Sequence, residues 1–109
     1  MSITILQWNL NGVFARLPQL QLLINELQLN VICLQETNFK QLQIINLKNY
    51  KSYLKNRNSF TANGGVATFV KETYHSEETP TNNDIELITI KIQLSFNIHI
   101  CNTYIPNTD

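Results

Sequence analysis

Charge is scarce in this chain, and what there is cancels. Of 109 residues 15% are charged, eight basic against eight acidic, for a formal net charge of zero. That balance excludes a polybasic tail or a general electrostatic adhesive for DNA, although a nucleic-acid enzyme needs only a local patch. No apolar run approaches the roughly 20 residues of a membrane helix, so no membrane partner is expected. Met1 is followed within two residues by a strand-like run rather than a basic n-region, so no signal peptide is expected. The two cysteines, Cys33 and Cys101, have neither zinc-knuckle nor redox CxxC spacing. Both sit in apolar runs and read as buried thiols acting as small hydrophobes. With no disulfide framework, the compartment expected is intracellular, nuclear or cytoplasmic. There is no repeat, low-complexity tract or linker, and the length suits one modest domain or a piece of a larger one.

What is present has clear periodicity. Residues 3–8 (ITILQW) form a short β-rich run that ends at Asn9 and Asn11, with Gly12 behind them. Leu17, Leu20, Leu23, Ile24 and Leu27 recur at helical steps, and Pro18 suits the first turn of that helix. Residues 31–34 (VICL) are continuously apolar, as a strand buried on both faces should be. Strand, helix, strand in that order makes a βαβ unit with parallel strands. Leu42–Leu47 is ambiguous, one helical turn being the candidate. A weak strand follows at Tyr50–Leu54, then a turn at Asn63-Gly64-Gly65 into a better strand at Val66–Val70. Glu77–Asp84 reads as a polar loop. Ile88, Ile90, Ile92, Leu94 and Phe96 alternate with polar residues, the mark of a half-buried antiparallel strand. A reversal near Ser95–Asn97 leads into a last strand that Pro106 ends. The fold class is α/β, with a sheet-rich second half. No element follows to cover the edge of that sheet, and complete domains protect such edges; a C-terminal truncation is therefore expected.

Two neighbouring strands end in polar groups, Asn9 and Asn11 after the first and Glu36 after the second. Open α/β sheets bind ligands at the carboxyl ends of their strands. A carboxylate with carboxamides beside it suits Mg²⁺, which takes one or two carboxylates, keeps several waters and accepts phosphate as a further ligand. A glutamate capping the next turn is the structural alternative.

Four segments in order add to this reading: residues 5–12 (ILQWNLNG), 32–37 (ICLQET), 64–70 (GGVATFV) and 102–108 (NTYIPNT). With these the chain resembles the endonuclease/exonuclease/phosphatase superfamily, most closely the apurinic-endonuclease-like domains of LINE-type (non-LTR) retrotransposons. The resemblance implies the N-terminal part of a four-layered α/β-sandwich, DNase I-like, with mixed sheets, residues 1–109 being a partial domain truncated at its C-terminus. It implies Glu36 as the metal-binding carboxylate, and Asn9 as the asparagine at the metal and the scissile phosphate. Asn11 stands where repair nucleases carry an aspartate and retrotransposon enzymes an asparagine. Tyr104 matches the active-site tyrosine and Asn107 the substrate-side asparagine after the proline. The bland readings are a strand aromatic for Tyr104 and a turn residue for Asn107. Trp8 reads as core rather than as a base-stacking platform.

The function implied is Mg²⁺-dependent (Mn²⁺ as the substitute) nicking of DNA. The implied partners are a DNA substrate, the missing C-terminal half of the domain and a downstream reverse transcriptase in the parent protein. The family's water-orienting G-D-F-N segment and its late Ser-Asp-His segment do not occur here, and Asp84 and Asp109, the only aspartates, lack that context. The chain alone is therefore expected to cut poorly or not at all. His75 and His99 match no catalytic histidine, and Lys48, Lys51, Lys55 and Arg57 read as a solvated face. Two alternatives are an inactive nucleic-acid-binding or interaction remnant of a decayed element, and another phosphodiesterase or phosphatase of the superfamily.

Overall fold

A computed structural model describes residues 2–39, 45–55, 64–81 and 86–104. Their elements are β1 (Ile5–Asn9), α1 (Val13–Leu27), β2 (Val31–Gln35), β3 (Tyr50–Lys55), β4 (Val66–Lys71), β5 (His75–Thr79), β6 (Glu86–Gln93) and β7 (Asn97–Tyr104). One sheet has the strand order β1-β2-β4-β3 and the other β5-β6-β7. The first is mixed, with β1 and β2 parallel and the β2–β4 and β3–β4 pairs antiparallel. The second is antiparallel throughout. The layers are thus helix, mixed sheet, antiparallel sheet, which agrees with the α/β sandwich expected, although only one of the two sheets is mixed.

The pleat sorts the side chains. On β2, Ile32 and Leu34 join the core under α1, with Leu20, Ala67 and Phe69. Val31 and Cys33 face the other way and pack with Val66, Val70, Ile88, Ile90 and Ile92 between the sheets. Both faces of β2 are therefore dry, as its unbroken apolar run requires. Strand β6 alternates buried and half-buried residues along its length, the period-two pattern of a strand with one covered face.

Six expectations need correction. Helix α1 starts at Val13 rather than near Leu17, because Val13 is fully buried and its N–H is held by the Thr37 carbonyl at 3.0 Å. Pro18 consequently sits inside the helix and not in its first turn, where it removes a backbone donor. Leu27, assigned to the apolar stripe, is 51% exposed. Residues His75–Thr79 form a strand although their outer positions are polar; β5 is an edge strand that buries only Ser76. Phe96 belongs to the β6–β7 reversal and not to the alternating strand, and is exposed. Cys101 lies on the outer face of β7 and is exposed, so only Cys33 is a buried thiol. Residues 42–44, Asn63 and Asp84, on which other expectations fall, lie outside the described residues; residues 45–47 are not helical. Among the described residues no helix is long and apolar enough to cross a membrane.

The two sheets are tied by a buried carboxamide. Asn102 on β7 is 2% exposed. Its Nδ2 donates across the sandwich to the Ala67 carbonyl (2.9 Å), Thr68 Oγ1 (3.1 Å) and the Leu34 carbonyl (3.3 Å). Its Oδ1 accepts from Nε2 of Gln35 at 2.8 Å, and Gln35 in turn accepts from Gln7 on β1.

Two outcomes follow. Asn102→Ala strips partners from buried polar groups and is expected to destabilise the chain by on the order of 2 kcal/mol; a urea midpoint equal to that of the parent would show that apolar contact alone holds the sheets. Burial pushes the Cys33 thiol up to about 11, so it stays protonated, and unreactive, through neutral and mildly alkaline pH. Iodoacetamide at pH about 8 should label Cys101 and spare Cys33 until denaturant is added, with peptide mass mapping as the readout; equal labelling of both in the folded chain would contradict that burial.

Candidate active site

Because β1 and β2 run parallel, Asn9 and Gln35 are paired in register at the same end of the sheet. The loops after them are stitched together by the backbone. Leu10 N–H donates to the Gln35 carbonyl (3.0 Å) and Gly12 N–H to the Glu36 carbonyl (2.8 Å). On the other side Thr37 N–H donates to the Gly65 carbonyl (3.3 Å) and Asn38 N–H to the Gly64 carbonyl (2.8 Å). This bonding holds three non-glycine residues in the left-handed region, Asn11 (φ 50°), Glu36 (φ 52°) and Asn38 (φ 55°). Asparagine tolerates that conformation; glutamate does so at a cost of about 1–2 kcal/mol.

Glu36 is half-buried and accepts at Oε1 from the Tyr104 hydroxyl at 2.8 Å. The pair joins the end of β2 to the end of β7 across 68 positions of sequence. Asn9 is exposed and makes no hydrogen bond to Glu36 among the described residues. It shares with Tyr104 an open groove of about 490 Å³ along the β1 and β7 edges, floored by Gln7, Gln35 and Asn102. Glu36 itself does not line that groove; it stands beside its mouth, linked through Tyr104. Asn11 is exposed and accepts from Nδ2 of Asn38 at 3.4 Å. Asn107, Asp109 and Arg57 lie outside the described residues.

The structure thus joins Glu36 to Tyr104 and sets Asn9 on the groove that Tyr104 lines, while Asn11 is bonded to Asn38 in the adjoining loop. His75 pairs with Gln93 at the opposite end of its sheet, and His99 is exposed on β7; neither joins the group. Lys48 and Lys51 are exposed. Lys51 lies 5.2 Å above the Tyr53 ring and donates to the Ser76 carbonyl, a surface role away from Glu36. Trp8 is partly buried against the core under α1.

Three site residues escaped the sequence reading. Glu86 is a buried carboxylate, in register with Tyr104, that accepts from the Gly65 N–H. Its signal was present: it extends the inward series Ile88, Ile90, Ile92 by one step, and a carboxylate on a buried face needs a partner. Asn102 extends the series Ile98, Ile100 in the same way. Asn38 carried no pattern at all.

Among the described residues no cluster of three or more His, Cys, Asp or Glu could hold a metal. The donor chemistry fits a hard cation nonetheless: one carboxylate, Glu36, with the Asn9 carboxamide near it, suits an ion that keeps most of its water.

The chain is 31% identical, over 97 residues, to a probable RNA-directed DNA polymerase from the transposon X-element of Drosophila melanogaster. The match takes in 87% of this chain and 10% of that protein. It superposes on the crystal structure of the AP endonuclease LMAP from Leishmania major with a TM-score of 0.76 at 17% identity, covering 96% of this chain and 40% of that one. A 3′ phosphatase, NExo, from Neisseria, bound to product DNA hairpin, gives 0.69 at 20% identity, with 94% and 41% covered. The chain therefore spans less than half of each of these relatives, and the two structures speak to its fold. The family model for the endonuclease/exonuclease/phosphatase family matches residues 6–105, and the chain belongs to that family of phosphoester-cleaving hydrolases.

Proposed function

We propose that this chain is the N-terminal segment of a divalent-metal-dependent phosphodiesterase, the DNA-nicking endonuclease of a non-LTR retrotransposon. The observation that carries the reading is the hydrogen bond from Tyr104 to Glu36 at 2.8 Å. It unites the tyrosine of the last strand with the carboxylate of the second, beside Asn9 at the end of the first. The transposon polymerase at 31% identity supports the retrotransposon branch, and the DNA hairpin held by the Neisseria phosphatase supports a DNA substrate. DNA as substrate is in keeping with a nuclear or cytoplasmic site of action.

In this reading Glu36 and Asn9 hold Mg²⁺, or Mn²⁺ in its place. When bound, the ion supplies Lewis-acid stabilisation of charge developing on the phosphate. The remaining work falls to the chain. Tyr104 turns its phenol O–H from Glu36 to a phosphate oxygen, a fixed donor where charge develops. Asn11 and Asn107 contact the substrate side. Two groups are needed besides these: one to orient the attacking water and one to meet the leaving oxygen. Among the described residues no histidine or carboxylate lines the groove to do either. The remainder of the domain, with a reverse transcriptase downstream, supplies them, and the chain alone is inactive.

Plasmid nicking tests this, using the 109 residues and the chain extended through its downstream reading frame, each with Mg²⁺ and with EDTA. Nicking is expected only from the extended form and only with metal, and Glu36→Ala should abolish it. Tyr104→Phe, which keeps the ring and loses one donor, should lower the rate on the order of 10²-fold. Both forms folded and neither nicking would favour the non-catalytic remnant; robust nicking by the 109 residues would overturn the division of the site.

A further inference from the structure

The orientation of the Asn11 carboxamide is dictated by its neighbours, and the chain of cause begins at a backbone group that cannot be turned around. Gly64 N–H donates to Oδ1 of Asn38 at 2.8 Å. A backbone N–H accepts nothing, so the oxygen of Asn38 must face Gly64 and its NH₂ must face away. The backbone N–H of Asn38 is tied to the Gly64 carbonyl at 2.8 Å, so the residue is anchored to the same glycine through both its backbone and its side chain. Its NH₂ then lies over Gly12, about 3.8 Å from where a Cβ would stand, and reaches Oδ1 of Asn11 at 3.4 Å. At that length the bond itself is weak, but the alternative sets two NH₂ groups against each other. Asn11 must therefore turn its oxygen inward and its NH₂ outward, and its side chain is exposed.

We infer that Asn38 is a positioning residue which makes Asn11 a hydrogen-bond donor to an anionic oxygen of the substrate backbone rather than a ligand for a cation. A cation would need the oxygen that is turned inward toward Asn38, whereas a phosphodiester accepts from N–H groups. Donor and acceptor are thus divided between the asparagine that ends β1 and the one in the loop after it: Asn9 is left for the metal and Asn11 faces the phosphate. This rests on the nuclease reading above, and deepens it.

The test uses the 109-residue chain, a short DNA duplex in EDTA, and Mn²⁺ alone as the metal probe. Asn38→Asp keeps an acceptor for Gly64 N–H but removes the donor that faces Asn11, so the Asn11 amide should turn over. The same substitution in an Asn11→Ala background carries the plain effect of the added charge, and the comparison isolates the coupling. Asn38→Asp is expected to weaken duplex binding about tenfold more with Asn11 present than without it, the worth of one hydrogen bond to a charged group. The Asn11 side-chain amide signals in a ¹⁵N–¹H spectrum should move on adding duplex to the parent and stay put in Asn38→Asp, a change that loss of loop structure would not mimic while the backbone spectrum is intact. Asn11→Asp should bind Mn²⁺ several-fold more tightly, since an outward acceptor then replaces the outward donor. Equal costs of Asn38→Asp in both backgrounds, or an unaltered Mn²⁺ affinity in Asn11→Asp, overturns the positioning role. If Asn11→Ala leaves duplex binding unchanged and Glu36→Gln leaves Mn²⁺ binding unchanged, the nuclease reading falls with it; a loss of Mn²⁺ binding in Glu36→Gln alone would leave that reading standing.

Discussion

Apolar contact between two sheets has no preferred direction, so burial alone would let them slide over one another. Asn102 is what stops the slide. Its two amide hydrogens are shared among three acceptors on β2 and β4, and its oxygen receives Gln35. Gln35 and Thr68 are buried like Asn102 itself, so a shift of the sheets would strand polar groups in the interior. Directional bonds in a dry interior are costly to leave unmade, and that cost fixes the relative height of the sheets. Tyr104 stands two positions further along the same face of β7. The contact between its phenol and Glu36 therefore inherits its register from the amide beneath it.

The other half of the site is fixed from the loop side. Three left-handed residues crowd the ends of β1 and β2 although the chain has only three glycines to spend on such places. Two of those glycines, Gly64 and Gly65, are themselves in the left-handed region and serve as the anchor for Thr37 and Asn38. Glu86 holds Gly65 from below. The outcome is a carboxylate on a constrained turn, supported from the helix side by Gly12 and from the β4 side by the glycine pair. Strain of this kind persists only where surrounding bonds over-determine it.

Much of the fold was legible because periodicity survives in the sequence. The dry run of β2, the alternation of β6 and the βαβ order were each read from residues alone, and Asn9, Glu36 and Tyr104 were singled out as candidates by the order of short motifs. What escaped has physical reasons. Strand β5 is an edge whose polar side chains face water, so it pairs through its backbone and leaves no apolar signature. The first turn of α1 is set by a tertiary contact of Val13, which no local pattern records. Cys101 looks apolar by its neighbours, yet the pleat turns it outward. Asn38 is an ordinary loop residue until the backbone of Gly64, 26 positions away, is placed against it.

Separation in sequence has one further consequence. Glu36 and Tyr104 meet across 68 positions, and Gln35 and Asn102 across 67. Closing so long a loop is entropically unfavourable until the apolar interior rewards it. During synthesis the first sheet could pair strand by strand while Glu36 still lacked its tyrosine, since β7 follows the other described strands. A ribosome-bound precursor that has not yet exposed β7 thus holds the carboxylate on its turn, but not yet the phenol that bonds to it.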